Sequence, residues 1–312
     1  MTKLKGILLS EGMHGMISQI EGLAKALDLE FTHHTVELNN FWKLFPPKVT
    51  PISQKTFKKI DTDDFDVIIS CGRKSVIPSI YLKQNSDKKV INIHIQDPKV
   101  NLDNFNYVIA PEHDGLNGAN VFSTKGAIHY LTKEDINNHT NYLKDRLEKG
   151  KEYFLLILGG PTKHYDYSDE NVLNIFKLFN NLVEKNNLQG VIVPSMRTPK
   201  NIIELAKNRL GKKSLVIDTI DKKAYLSGLS LAKYIVVTCD STSMISEAAL
   251  TGKPIYVADI PAKKNDSRIK KFHKLFNHLN IIKKLDDKLE TWHYENLDET
   301  SRIAEKIKKQ LI

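Results

Sequence analysis

Cysteine is nearly missing from this chain: Cys71 and Cys239 are the only two in 312 residues. Two cysteines, each closing an apolar run, exclude a disulfide framework and a zinc-ribbon spacing. Each suits the role of a small buried hydrophobe, and the usage points to a reduced, cytoplasmic chain. Long apolar runs are also lacking, so no segment reads as a membrane span. The opening residues read as a short strand without the apolar core of a signal peptide. The eleven histidines, including the pair His33-His34, form no i,i+4 pair and no tight cluster with carboxylates. No metal and no resident cofactor are therefore expected. A Ser-His-Asp elbow is absent, and the basic residues are not ordered into a nucleic-acid-binding motif, so nucleic acid is not an expected partner.

Acidic residues are in deficit, 37 Asp and Glu against 46 Lys and Arg, which leaves a formal charge of +9. That balance favours a phosphorylated ligand or an anionic surface, although a solvated lysine-rich exterior would give the same count. What is present in quantity is ordinary globular material, 41% apolar and 8% aromatic. A chain of this length is comfortable as two domains.

Short apolar runs alternate with helical patterns along the whole chain. Residues 6–10, 67–70, 90–95, 107–110 and 120–123 read as strands of a first series, with Ile17, Ile20, Leu23, Ala24 and Leu27 at helical spacing after the first. A polar helical run, 132–148, is the expected connector. A second series follows, with strands at 153–158, 190–193, 215–218, 234–238 and 254–257, and helices at 172–184, 202–210, 224–231 and 243–251. Fully apolar strands between helices predict parallel sheets covered on both faces. The expected fold is α/β, two Rossmann-like domains whose parallel sheets face an interdomain cleft. The expected domains are 1–145, 146–290, and a terminal helical segment, 291–312, packed back across them.

In open α/β sheets ligands bind beyond the carboxyl ends of the strands. The richest such turn is Asp240-Ser241-Thr242-Ser243-Met244, which runs from an apolar strand into a helix. A helix start offers free amides and a positive dipole end to a phosphate, and Ser241 and Ser243 add hydroxyl donors. Glu247, one turn later, can accept from both hydroxyls of a ribose. Plain N-capping would also use a serine or aspartate here, but needs only one. Gly159-Gly160-Pro161-Thr162 allows close backbone approach to a diphosphate, or is simply a strand-to-helix turn. Ser195, Arg197 and Thr198 form a third turn, with Arg197 either a phosphate ligand or a surface arginine.

The first series has its own strand-end turns. Gly12, His14 and Gly15 follow the first strand, and Arg73, Lys74 and Ser75 the second. Gln96 and Asp97 follow the third, and Glu112, His113 and Asp114 the fourth. His14, His113 and Asp114 are the candidates for a general base, since imidazole and carboxylate suit that role. The others are candidate substrate ligands, each with an ordinary capping or turn role as the alternative. One further stretch, Phe41-Trp42-Lys43-Leu44-Phe45-Pro46-Pro47-Lys48, interleaves rings and lysines. It suits either a loop tucked against its own domain or peripheral contact with an anionic membrane.

Taken in order, Cys71-Gly72-Arg73, Gln96-Asp97-Pro98, residues 110–115, Gly159-Gly160-Pro161, residues 194–199 and residues 240–248 resemble the mitochondrial fission Elm-type family over nearly the whole chain. In the first turn His14 and Ser18 stand where that family usually has proline and asparagine. The segment from Ser243 to Pro254 also resembles the donor-binding region of GT-B glycosyltransferases and of the UDP-N-acetylglucosamine 2-epimerase fold. That resemblance implies a GT-B-like fold with a nucleotide-diphosphate sugar as substrate and no metal. Ser241, Ser243 and Met244 would face the phosphates, Glu247 the ribose, and Gly160 would line the pocket. The implied activity is sugar transfer to a lipid or cell-envelope glycan, in a cytoplasmic protein peripheral at the inner membrane. A nucleotide-sugar epimerase and a non-catalytic, division-associated binding protein with a vestigial pocket are the alternatives.

Overall fold

Residues 3–62 and 64–311 are described by the structure, a computed structural model. The chain divides into two compact units, Met1–Tyr130 with Asp298–Ile312, and Leu131–Leu297. In the first unit β1 (Lys5–Ser10), α1 (His14–Ala26), β2 (Glu30–Thr35), β3 (Val67–Cys71), α2 (Val76–Gln84), β4 (Ile91–Ile95), β5 (Tyr107–Pro111) and β6 (Val121–Thr124) follow in turn. The strands make one parallel sheet in the order β2-β1-β3-β4-β5-β6. All five residues of the inner strand β3 are buried, as its apolar run, interrupted only by Ser70, predicts. The strand β2, Glu-Phe-Thr-His-His-Thr, carries no such run. It pairs only with β1 and lies at the sheet edge, where one face and one flank need no apolar cover.

In the second unit come α3 (Lys133–Asn138), β7 (Tyr153–Leu158), α4 (Asp169–Lys185), β8 (Gln189–Pro194), α5 (Lys200–Leu210), β9 (Ser214–Val216), α6 (Lys222–Leu231), β10 (Ala232–Thr238), α7 (Thr242–Ala249), β11 (Ile255–Ala258), α8 (Ser267–His278) and β12 (Ile282–Lys284). This sheet is again parallel, ordered β12-β11-β10-β7-β8-β9. Read from the β9 edge it is the 3-2-1-4-5-6 order of doubly wound nucleotide folds. The helix α4 shows why these segments fold locally. Ser168 caps it by accepting from the Asn171 amide, acids occupy its first turn, and Val172, Ile175, Phe176, Phe179, Leu182 and Val183 form one buried stripe. Phe179 stacks on Phe154 of β7 with centroids 4.6 Å apart.

One expected segment has a different shape, and β2, β12 and α8 have no counterpart among the expected elements. The polar run 132–148 is not one helix but α3 followed by two 3-10 turns, Thr140–Tyr142 and Lys144–Arg146. It packs on α6 within the second unit, where Leu143 is fully buried and its amide donates to Ser227 Oγ. The last helix, α9 (Glu299–Leu311), packs on α1 in the first unit, with Ile303 and Ile307 buried in that unit's core. No helix among the described residues is long and apolar enough to cross a membrane.

Candidate functional site

Strand order reverses between β7 and β10, which makes their carboxyl ends the expected ligand crevice of the second unit. Three of the turns singled out from sequence meet there, and one buried carboxylate joins them. The side chain of Asp240, just beyond β10, has no exposed surface. It accepts from the Thr238 hydroxyl at 2.7 Å, from the Tyr167 hydroxyl, and from the Gly160 amide at 3.3 Å. Arg197 Nη2 donates to it at 2.7 Å, while Nη1 donates to the Gly160 carbonyl at 3.1 Å. A buried carboxylate persists only when donors replace its lost water, and here four groups do so. Burial beside Asp240 in turn pushes the Tyr167 phenol well above its ordinary range, which keeps it a donor.

The glycines are required by contact. A Cβ on Gly159 would lie 2.3 Å from Asp240 Oδ2, and one on Gly160 would lie 2.0 Å from the Arg197 carbonyl oxygen. The Gly159 amide donates to Thr238 Oγ1 at 2.9 Å, and Thr198 Oγ1 donates to the Gly159 carbonyl at 2.6 Å. Ser195 donates its amide to Thr198 Oγ1 at 2.8 Å. Thr162 tightens its own turn, accepting from the amides of His164 and Tyr165, and Pro161 is exposed beside it. The paired glycines, Arg197 and the β10 turn are thus one hydrogen-bonded assembly rather than three separate loops.

Above it lies the start of α7. Ser241 is the N-cap and accepts from the Met244 amide, while Ser243 and Met244 are half-buried. The first amides of any helix have no intrahelical acceptor, so this turn presents donors and a positive dipole end. Glu247 sits one turn further on, half-buried, and its Oε2 accepts from the Tyr225 hydroxyl at 2.7 Å. Burial raises its pKa to about 7, against the opposing effects of the Tyr225 hydrogen bond and the Lys222 charge. A carboxyl that ionises near neutrality changes its hydrogen-bonding capacity with small changes in surroundings. A separate cavity of about 240 Å³ lies away from these turns, lined in part by Leu229, Ser230, Leu250, Thr251 and Lys253. Burial lowers the Lys253 pKa to about 8, and its ammonium caps the end of α6 through the Leu229 carbonyl at 2.8 Å.

In the first unit the order reverses at β1, between β2 and β3. Glu11 Oε1 accepts from the Lys74 amide at 3.2 Å and Oε2 pairs with the Lys74 ammonium at 3.1 Å. Gly12 and Gly72 both have positive φ, +83° and +93°, which suits glycine in these turns. Gly15 lies in the first turn of α1, and its carbonyl accepts from Gln19 Nε2 at 3.1 Å. Ser75 is buried, and its hydroxyl donates to the Gly72 carbonyl at 2.9 Å. Arg73 turns away from the sheet and donates to the Lys43 and Phe45 carbonyls at 2.9 and 3.3 Å. Gln96 has a φ of +85°, and Asp97 pairs with Lys99. His14 is exposed at the start of α1. His113 and Asp114 lie together, 3.7 Å apart, on the 3-10 turn Glu112–Asp114 beyond β5. The strands β3 and β4 separate the two histidine-bearing turns. At ordinary strand spacing the turns are on the order of 14 Å apart, so His14 and His113 do not form one dyad.

Sequence reading missed Tyr167 and Tyr225, the partners of Asp240 and Glu247. Tyr167 lies 73 positions from Asp240, and no local pattern marks it.

The profile of the mitochondrial fission ELM1 family matches residues 14–311 of this chain. An uncharacterized protein of Rickettsia prowazekii is 26% identical, over 96% of this chain and 97% of the relative. The mitochondrial fission protein ELM1 of Arabidopsis thaliana is 24% identical, over 84% of this chain and 67% of its own length. Among solved structures, the UDP-GlcNAc 2-epimerase of Neisseria meningitidis bound to UDP-GlcNAc is similar with a TM-score of 0.55 at 13% identity, over 99% of both chains. The glycotransferase of kitacinnamycin is similar with a TM-score of 0.56 at 12% identity, over 100% of both. These likenesses show the fold shared by GT-B glycosyltransferases and UDP-GlcNAc 2-epimerases.

Proposed function

The chain belongs to the mitochondrial fission ELM1 family, and from that premise we propose that it is a metal-independent GT-B-type glycosyltransferase. On this reading the second unit binds a nucleotide-diphosphate sugar at the carboxyl ends of β7 and β10. The acceptor is a lipid or a cell-envelope glycan. The observation that carries the reading is the Asp240 assembly, which holds Gly159-Gly160 and the α7 start in fixed register at the switch point. The glycines let Asp240 and Arg197 pack against this turn, and the helix-start donors of α7 beside it suit a diphosphate. Ser241, Ser243 and Met244 would hold the phosphates, and Glu247 would accept from the ribose hydroxyls. The similarly folded UDP-GlcNAc 2-epimerase of Neisseria meningitidis is bound to UDP-GlcNAc, which supports the ligand class.

The test is a thermal-shift screen against UDP, GDP, ADP and CDP sugars, followed by product analysis with the compound that binds. The reading expects stabilisation by one nucleotide class and release of nucleoside diphosphate only when a lipid or glycan acceptor is present. Release without acceptor, with the sugar inverted at one carbon, would instead make the chain an epimerase. No response to any nucleotide sugar by a folded chain would remove the reading altogether.

A further inference from the structure

The ring-and-lysine stretch near residue 41 is not absorbed by the nucleotide-sugar reading. The structure gives it a definite shape within the first unit. Leu38 and Phe57 form an antiparallel bridge and are both buried, so the residues between them make a loop closed at its base. The Asn39 amide donates to the Thr56 carbonyl, and Asn39 Nδ2 donates to the Lys55 carbonyl at 2.7 Å. Three 3-10 turns, Trp42–Leu44, Pro47–Val49 and Gln54–Thr56, satisfy backbone groups inside the loop. Arg73 fastens it from below through the Lys43 and Phe45 carbonyls. Phe41, Trp42 and Phe45 pack on each other with centroids 4.9 to 5.7 Å apart.

A loop this well bonded has the means to tuck its apolar groups inward, yet it turns them out. Leu44 is 80% exposed, Phe41 62% and Val49 58%. Lys43, Lys48 and Lys55 are exposed around them, and residues 38–57 contain no Asp or Glu. Holding such groups in water costs free energy unless something covers them. We propose that this loop is a docking tip that inserts Phe41, Leu44 and Val49 into the surface of an anionic bilayer, with the three lysines at headgroup level. The charge decides between occupants. Protein interfaces deplete lysine near their apolar centres, whereas an anionic leaflet attracts it, each lysine strengthening binding about fivefold. Trp42, half-buried within the tip, is of the residue type enriched at membrane interfaces. The inference stands independently of the nucleotide-sugar reading.

The test is sedimentation of the full chain with vesicles of phosphatidylcholine alone and of phosphatidylcholine with roughly one third phosphatidylglycerol. Binding to the anionic vesicles only is expected, weakening as salt is raised. Trp292 is buried, so a blue shift of tryptophan emission on those vesicles reports Trp42. Phe41→Ser with Leu44→Ser should weaken binding about tenfold or more, and Lys43→Gln with Lys48→Gln by a similar factor. All four positions are exposed, so an unchanged circular-dichroism melt verifies that each variant folds. Failure of the wild type to bind anionic vesicles, or equal binding by the Ser variant, overturns the proposal. Capture of a single protein partner through this tip, with no lipid binding, overturns it as well. A nucleotide-sugar response that survives in the Ser variant separates this outcome from the fate of the donor site.

Discussion

At the β7–β10 edge the Asp240 carboxylate is wholly buried and ties three turns together; at the β1–β3 edge the Glu11 carboxylate is partly exposed and ties two. Both sheets are parallel and six-stranded, and both reverse order at these edges. The difference lies in how each turn is held. Asp240 has replaced its water with Tyr167, Thr238, Gly160 and Arg197, so the second unit's crevice has its geometry set before any ligand arrives. Glu11 keeps contact with solvent and one lysine, so fewer bonds hold the first unit's crevice. In that unit Arg73 holds a surface loop.

The comparison breaks most sharply at these two carboxylates. Asp240→Ala should destabilise the protein by about 3–5 kcal/mol, because it strands a partly buried guanidinium, a buried phenol and an amide. Glu11→Ala should cost about 1 kcal/mol or less. Urea denaturation of both variants checks the contrast, and equal losses would dissolve it. Next comes Gly160→Ala, whose methyl meets the Arg197 backbone rather than a movable side chain. A loss of roughly 1–3 kcal/mol is expected, read from the same denaturation curves. Any nucleotide response should fall with it. Gly12→Ala in the first unit should leave that response unchanged.

A smaller effect concerns pH. The folded pKa of Glu247, about 7, lies above its ordinary value of 4.5 because of burial. The fold therefore favours the protonated form. That contribution is full below the ordinary value and is lost as pH rises through 7. Glu247→Gln should flatten the fall in stability between pH 5 and 8, by roughly 1–3 kcal/mol in thermal melts. If ribose hydroxyls donate to the ionised form, nucleotide affinity should instead rise across pH 6 to 8 in the wild type and stay level in the variant.

Much of this was legible in the residues. The strands β7 and β10 carry the apolar runs 153–158 and 234–237 and end in glycine or hydroxyl turns, and a run of that kind has few alternatives to an inner parallel strand. The edge strands β2 and β12, Glu-Phe-Thr-His-His-Thr and Ile-Lys-Lys, carry too little apolar signal, because an edge demands little. Ser241 and Glu247 could be picked out because helix starts have a local grammar. The hub role of Asp240 could not, since three of its four donors come from positions 43 to 80 residues away and only the folded sheet brings them together.

Ligand capture at the carboxyl ends of β7 and β10 is tested most directly by amide chemical shifts of the labelled protein during titration with nucleotide sugars. The largest shifts should fall on Gly159, Gly160 and residues 241–244, with Glu247→Gln weakening the response and Glu11→Ala leaving it intact. Shifts confined to other turns, or none with any of the four nucleotide classes, would contradict it.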